Sequence, residues 1–324
     1  YPSAVKGELW YDSTNKDFKY QYANVTSAGS WRTSANVNTA RRSLAGSGTT
    51  TASLIFGGSL PSPMSALTES FNGSSWTEVN DLQQARQNLA GNGTSTSSLA
   101  YGGDAGSPTD YANTEVWNGS NWTEVNNLTT ERHAGGSAGA DSTSALFFGG
   151  SADPAIPGTE TESWNGTNWT EVNNLNNGRY LLAGAGTATA ALGFAGKPPP
   201  SSTAQTEQWN GTNWTEVGDL NTARYFINGA GTYTSALAIG GDTNPPSGGS
   251  LANTELWNGT SWVEQNDLST DRDAGASGGT TSSAFMATGR TGPTSGVTAV
   301  NEEWTGAGAP VGAWSTANPM NTGR

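Results

Sequence analysis

The chain has 324 residues, of which only 13% are charged and 33% hydrophobic, yet it contains 44 Gly, 13 Trp, 9 Tyr and 8 Phe. So many large rings supply buried area that Leu and Ile supply elsewhere, which argues against disorder. The formal net charge of −13 disfavours a nucleic acid as partner, no apolar run long enough for membrane insertion occurs, and the lack of Cys excludes disulfides and thiolate chemistry.

The first 38 residues do not match the rest of the chain. We expect two short strands here, at residues 8–10 and 31–33, which would pair with each other; residues 18–22 are an alternative for the first of them. Residues 1–38 are therefore interpreted as an N-terminal strand pair or adapter, and residues 39–324 as the repeated part of the chain.

From residue 39 onward, a unit of about 47 residues recurs, which is near the period of a four-stranded propeller blade. In one copy, residues 181–187 form a first strand of small residues and residues 190–196 a second, which ends in a Gly pair in other copies. Residues 206–209 and 214–217 form the third and fourth strands across an Asn210-Gly211 turn. The pattern predicts an all-β chain of four-stranded antiparallel blades.

Most of the Trp residues fall at two positions of the repeat, in the third and the fourth strand. Because ligand platforms rarely recur in every unit, we expect these rings to pack blade against blade rather than to stack on sugars. Trp10 and Trp31 can fill the same roles in the N-terminal segment. The repeat positions are Trp117, Trp164, Trp209, Trp257 and Trp304, and Trp76, Trp122, Trp169, Trp214, Trp262 and Trp314.

An Arg follows each fourth strand, and a Glu stands in each third strand. A repeated Arg beside a repeated Glu predicts buried structural ion pairs. The alternative is a ring of Arg that grips an anion at one face. These residues are Arg41, Arg86, Arg132, Arg179, Arg224, Arg272 and Arg324, and Glu69, Glu115, Glu162, Glu207, Glu255 and Glu302.

The Gly pair that ends the second strand, the later Trp and the Arg before the next unit resemble the Kelch motif. The near-identical Gly- and Ala-rich repeats, preceded by an N-terminal segment at residues 7–20, also resemble Kelch-like virion or tail-fibre proteins of marine bacteriophages. These resemblances imply a Kelch-like β-propeller and a structural role in a phage particle.

The number of blades depends on how the ring closes. Complete four-strand units begin after six of the repeated Arg residues, and the N-terminal strand pair adds a half-blade. We expect seven blades if the chain continues beyond Arg324 and six otherwise. We favour seven, because the N-terminal strand pair could supply the outer half of a seventh blade.

The residues needed for catalysis are scarce. The single His, His133, follows a repeat Arg and is interpreted as a loop or packing residue. One His and no Cys cannot build the usual copper or zinc site, and no Gly-x-Ser-x-Gly elbow accompanies His133. We therefore expect a protein that is not an enzyme and needs no cofactor.

The loop between the second and third strands varies while the rest of the repeat stays constant. Loops on a rigid scaffold usually carry recognition, although neutral drift of exposed loops is the alternative. The candidate binding residues in these loops are Asp104, Asp110, Tyr111, Asp153, Lys197, Asp242 and Arg290.

Two functions remain open at this stage. The first is a phage fibre or surface decoration that attaches to the host through these loops, located at the virion surface or outside the cell. Its expected partners are other virion proteins and a host surface receptor, for which a glycan is one candidate, with self-association into a homo-oligomer as a further one. The second is a cellular or secreted Kelch scaffold that binds a protein or glycan.

Overall fold

The computed structural model describes residues 9–12, 17–20, 28–60, 63–106, 109–153, 156–243, 249–292 and 296–307. These residues form 30 β-strands and no helix. Six four-stranded antiparallel sheets are the blades of a propeller, and three two-stranded sheets lie outside them. The all-β propeller that the repeats predicted is confirmed.

The first three blades follow the chain in order. Blade one contains β4 (Ala45–Thr49), β5 (Ala52–Phe56), β6 (Thr68–Phe71) and β7 (Trp76–Val79), and blade two contains β8 (Ala90–Thr94), β9 (Ser97–Tyr101), β10 (Thr114–Trp117) and β11 (Trp122–Val125). Blade three contains β12 (Gly136–Asp141), β13 (Ser144–Phe148), β16 (Thr161–Trp164) and β17 (Trp169–Val172), with the small hairpin β14 (Ser151–Asp153) and β15 (Ile156–Pro157) in its loop.

The remaining blades complete the ring. Blade four contains β18 (Ala183–Thr187), β19 (Ala190–Phe194), β20 (Thr206–Trp209) and β21 (Trp214–Glu216), and blade five contains β22 (Asn228–Thr232), β23 (Ser235–Ile239), β24 (Thr254–Trp257) and β25 (Trp262–Glu264). Blade six contains β26 (Ala276–Thr280), β27 (Ser283–Ala287), β30 (Asn301–Thr305) and β3 (Ser30–Thr33), with the hairpin β28 (Arg290–Thr291) and β29 (Gly296–Val297) in its loop.

The ring closes with six blades, so the preference for seven is wrong. The inner strand β26 of blade six packs directly against the inner strand β4 of blade one. The outer strand of blade six comes from the N-terminal segment, because β3 pairs with β30 in a register that sets Trp31 beside Trp304. The unit after Arg272 is therefore not complete in itself. Trp314 and Arg324 lie outside the described residues.

The predicted N-terminal strand pair is also wrong. The first strand, β1 (Leu9–Asp12), pairs with β2 (Asp17–Tyr20) in a separate two-stranded sheet, so Trp10 stands opposite Lys19 rather than beside a strand that contains Trp31. Residues 30–33 of the proposed adapter belong to blade six instead. Glu8 and residues 21–22 lie outside the described residues.

Small residues in the inner strands allow the blades to meet at the axis. A Cβ on Gly184 would lie 2.3 Å from the carbonyl oxygen of Ser137 in the neighbouring blade, and a Cβ on Gly91 would lie 2.5 Å from the ring of Phe56. Gly is unfavourable within a strand unless such a close approach requires it. The sequence bias of the first strand is thus explained by packing.

The repeated Trp rings fill the space between neighbouring blades. Those of the third strand are at most 2% exposed, and each fourth-strand ring packs against a ring of its own or the preceding blade. In blade two, for example, Trp122 lies 4.8 Å from Phe56 of blade one, between ring centroids. The prediction that these Trp residues are packing elements is confirmed for the described copies.

Candidate functional site

Six buried ion pairs join the six repeated Arg residues in the described part of the chain to the Glu of the third strand in the same blade. Their closest nitrogen–oxygen distances run from 2.7 to 3.2 Å, and every side chain is at most 2% exposed. The predicted structural pairs are confirmed, and the alternative of an Arg ring at the surface is wrong. The pairs are Arg41–Glu69, Arg86–Glu115, Arg132–Glu162, Arg179–Glu207, Arg224–Glu255 and Arg272–Glu302.

Each pair also fixes the segment that links one blade to the next. The carboxylate of Glu207 accepts the backbone N–H of Asn176 at 2.8 Å, and Arg179 donates to the carbonyl oxygen of Gly193 at 3.2 Å. Burial lowers the pKa of the Arg side chains, that of Arg272 to about 10, against the opposing effect of the partner Glu302. The linker and the surface residues that follow each Arg are thereby held to the second and third strands.

A closed circle of backbone hydrogen bonds surrounds the propeller axis at one end. The residue two positions after each repeated Arg has a positive φ between 51° and 57°, and its N–H donates to the matching carbonyl of the preceding blade at 2.6 to 3.0 Å. This left-handed backbone turns each linker into the inner strand that follows it. The six residues are Ser43, Asn88, Ala134, Leu181, Phe226 and Ala274.

A second set of positions surrounds this circle. The residue directly after each repeated Arg forms an antiparallel bridge with the residue that follows the Gly at the end of the second strand, where the variable loop begins. The bridged pairs are Arg42–Ser59, Gln87–Asp104, His133–Ser151, Tyr180–Lys197, Tyr225–Asp242 and Asp273–Arg290.

We call these positions the variable face: the two residues after each repeated Arg and the residue that opens each variable loop. Between near-identical strands, they include Arg, Gln, His, Tyr, Asp, Asn, Phe, Leu and Lys side chains. The opposite end, the turn face, consists of the strand one–two and three–four turns. Its described turns are built from Thr, Ser, Ala, Asn and Gly, with Tyr233 and the single charged residue Asp141. Chemical diversity is therefore concentrated at one end of the propeller.

Blades two and three give the variable face a polar sector. The Asp104 carboxylate accepts from the side-chain amides of Gln87 at 3.0 Å and Asn88 at 2.7 Å. Asp110 lies 2.9 Å from Nδ1 of His133, which bridges blade two to blade three. Burial raises the pKa of Asp110, although His133 acts in the opposite direction. His133 thus makes a specific contact on this face, where a plain loop or packing residue was expected.

Blades five and six hold a three-residue charge cluster. Arg290 contacts Asp242 at 2.5 Å through one nitrogen and Asp273 at 3.0 Å through another. Ser250 donates its hydroxyl to the other oxygen of Asp273 at 2.7 Å. Burial raises the pKa of Asp273, although Ser250 and Arg290 act in the opposite direction.

Aromatic rings with cations over them lie on the same side of the variable face as this charge cluster. The ammonium of Lys197 lies 5.0 Å from the ring centroid of Tyr225, and the guanidinium of Arg290 lies 5.3 Å from that of Phe226. The two rings are neighbours, with centroids 5.4 Å apart. Together with half-buried Tyr180, they form an aromatic sector in blades four and five.

The structure brings together only some of the residues predicted from the loops. Asp242 and Arg290 are in direct contact, whereas Asp104 and Asp110 are joined by a backbone bridge and use their side chains on other partners. The hydroxyl of Tyr111, a residue outside the variable face, accepts a hydrogen bond from the side-chain amide of Gln84 at 3.1 Å. Asp153 ends β14, and its side chain lies outside the described part of the structure.

Several residues of the variable face were not singled out from the sequence. A signal for them was present, because the column after the repeated Arg varies in a repeat that is otherwise nearly constant. It was overlooked because these positions adjoin a strand rather than a long loop. The residues are Arg42, Gln87, Asn88, Tyr180, Tyr225, Phe226 and Asp273.

An axial cavity of about 150 Å³ lies beneath the variable face. Its wall is formed by the inner strands of all six blades, including the hydroxyl-bearing Ser137 and Ser277, and by the residues just before these strands, such as Asn88 and Phe226 of the variable face. These two hydroxyls donate to backbone carbonyls of the preceding blades at 3.2 and 2.8 Å. The cavity is therefore narrow, and its lining residues are mostly Gly, Ala, Ser and Leu.

The comparisons with known proteins agree with the fold. The solved structure entitled "Structure of YjhT" is similar to this chain with a TM-score of 0.68 and 12% sequence identity, over 82% of this chain and 95% of that chain. No family model matches the chain, and no curated protein matches it. In the described residues, no helix is long and apolar enough to cross a membrane. The similarity shows that the chain has a propeller fold.

Proposed function

We propose that this chain is a non-enzymatic recognition module of a bacteriophage particle, which binds a host surface receptor through its variable face. One observation carries the proposal: the side chains differ from blade to blade at that face, while the Trp, Arg and Glu residues beneath it are repeated. A rigid support with variable residues at one end is the usual arrangement of a binding surface.

The points at which the N-terminal and C-terminal segments join the propeller support a role of the variable face in recognition. Ser30 at the start of β3 pairs with Thr305 at the end of β30, so the segments before and after them join the propeller at the turn face of blade six. A particle that holds the chain through either segment would leave the variable face pointing away from the attachment point.

We also assign the repeats to the Kelch type. The Gly pair that ends the second strand of blade one, Gly57 and Gly58, has φ values of +69° and +98°, which Gly adopts at little cost. Four of the six blades carry this pair, whereas Ala195 and Thr288 take its first position in blades four and six. The second Gly of the pair, the buried Trp and the Arg before the next blade recur in the Kelch order. The resemblance to phage proteins rests on this style of repeat and on the N-terminal segment.

The proposal is tested on particles and on cells. Virions purified from the source culture are examined by electron microscopy with an antibody to this chain, and fluorescently labelled protein is mixed with the bacteria on which those virions grow. We expect antibody label on the particles and saturable binding to the cells. Particles without label would refute the assignment to the virion, and cells without bound protein would refute host recognition.

A further inference from the structure

Each acidic group of the variable face accepts a hydrogen bond or forms an ion pair within the protein. Asp104 is held by two side-chain amides, Asp110 by His133, and Asp242 and Asp273 by Arg290. Each carboxylate therefore has at least one oxygen engaged by a protein group, and Asp242 and Asp273 share the single positive charge of Arg290.

Two cations of the variable face lack such a partner. Among the described residues, neither Arg42 nor Lys197 makes a side-chain ion pair or hydrogen bond, and both are half-buried. Arg42 belongs to blade one and Lys197 to blade four, which stand opposite each other in a six-membered ring. In the described part of the chain, these two cations thus have no acidic side chain as partner, and they lie on two sides of the axis.

The rings beside Lys197 add a second kind of contact. Tyr180, Tyr225 and Phe226 are half-buried in blades four and five, so each ring retains an accessible part. The apolar face of a sugar packs on a planar aromatic ring. The hydroxyl groups of the Tyr residues and the side-chain amides of the polar sector can form hydrogen bonds with the hydroxyl groups of the sugar. The chemistry of the variable face therefore suits a polyhydroxylated ligand that carries scattered negative charges.

We infer that the variable face binds an acidic polysaccharide, with its anionic groups on Arg42 and Lys197 and its sugar rings on the aromatic sector of blades four and five. This inference rests on the proposed function, since it names the receptor chemistry for the same surface. A densely charged nucleic acid fits less well, because proteins that bind it contact about six to ten phosphates. Exposed Glu131 and Asp271 at the rim also repel an anion that does not approach along the axis.

The test uses four polymers and matched variants. Calorimetry measures binding of the full chain to hyaluronate, which has one carboxylate per two sugars, to dextran sulfate, to uncharged dextran and to double-stranded DNA. Arg42→Gln and Lys197→Gln each remove one positive charge at the variable face. Thr94→Glu changes the net charge by the same amount at the turn face. Circular dichroism confirms that each variant is folded.

We expect hyaluronate or dextran sulfate to bind more tightly than dextran, and the preferred one of the two identifies the anionic group. Arg42→Gln and Lys197→Gln should each weaken that binding about tenfold, as expected for the loss of a hydrogen bond to a charged group. Thr94→Glu should leave it within about twofold. Tighter binding of double-stranded DNA than of either acidic polysaccharide would overturn the inference, as would equal binding of dextran or an equal effect of Thr94→Glu.

The cell-binding assay separates the two proposals. If the labelled chain binds host cells but no acidic polysaccharide, the inference about ligand chemistry fails while the proposed recognition function stands. If the chain binds neither cells nor polysaccharides, both fail.

Discussion

Trp31 donates its indole N–H to the hydroxyl of Thr254 at 2.9 Å, although 223 residues separate them in the chain. The fourth-strand Trp residues of blades two to five make the same bond to the first Thr of the third strand in the preceding blade, as Trp262 does to Thr206 at 3.0 Å. The N-terminal strand therefore takes over the repeat's own packing role. This contact joins blade six to blade five and completes the outer layer of the ring.

Replacing Trp31 should weaken the closed ring. We expect Trp31→Ala to lower the free energy of unfolding by about 3 kcal/mol, because a large ring and its hydrogen bond are lost at an interface between blades. Urea denaturation measures the change. The control is Arg32→Ala on the same strand, whose 72% exposed side chain should contribute less than about 1 kcal/mol to its ion pair. Equal effects of the two substitutions would contradict the closing role of Trp31.

The Arg179–Glu207 pair allows a test of the buried ion pairs. Both side chains are fully buried, so Glu207→Gln leaves Arg179 without its counter-charge and should cost about 3 kcal/mol of unfolding free energy. Glu216→Gln is the matched control, because Glu216 stands opposite Glu207 on the neighbouring strand but is exposed.

The double variant Arg179→Met with Glu207→Gln completes the experiment. It removes both charges and should recover part of the stability that Glu207→Gln alone loses, since no unpaired charge then stays buried. Chemical denaturation of the wild type, the single variants Arg179→Met and Glu207→Gln, and the double variant gives the coupling between the two residues. A Glu207→Gln variant as stable as Glu216→Gln would show that the pair does not hold the linker.

The titration of Asp273 should make the free energy of unfolding depend on pH. Burial raises the pKa of this carboxyl above its ordinary 3.8, with Ser250 and Arg290 opposing the shift. The folded state therefore binds more protons than the unfolded state between pH 3.8 and the raised pKa, and stability falls as the pH rises through that window. Asp273→Asn removes this effect.

Urea unfolding at a series of pH values compares the wild type with Asp273→Asn. We expect the wild-type free energy minus that of the variant to be largest below pH 3.8 and to decrease as the pH rises. A difference that increases with pH would mean that the folded environment favours the charged carboxylate, contrary to this account.

The repeat made the local structure predictable from sequence. Short strands, the Asn-Gly turn at Asn210, the packing role of Trp209 and the pairing of Arg179 with Glu207 all follow from patterns confined to one unit. The closure of the ring did not follow, because it depends on a strand exchange between the two ends of the chain. Trp31 looked like a fourth-strand residue, but its partner strand could not be chosen from adjacent sequence.

The candidate site was predictable only in part for a related reason. Asp242 and Arg290 were recognised because they open long variable loops. Tyr180 and Tyr225 were missed because each lies directly after a structural Arg, where the sequence reads as part of the scaffold. Their backbone bridges in the folded chain, from Tyr180 to Lys197 and from Tyr225 to Asp242, place these two Tyr residues beside the variable loops.

The central claim, that recognition occurs at the variable face, is tested most directly by cell binding of two triple variants. In one, Tyr180, Lys197 and Tyr225 of the variable face are each replaced by Ser; in the other, Thr94, Thr187 and Thr232 of the turn face are each replaced by Asn. Saturation binding of the labelled proteins to host bacteria should weaken at least about tenfold for the first variant, as expected when the central contacts of a binding site are removed, and stay at the wild-type value for the second. Weakened binding of the turn-face variant, with the variable-face variant unaffected, would contradict the account.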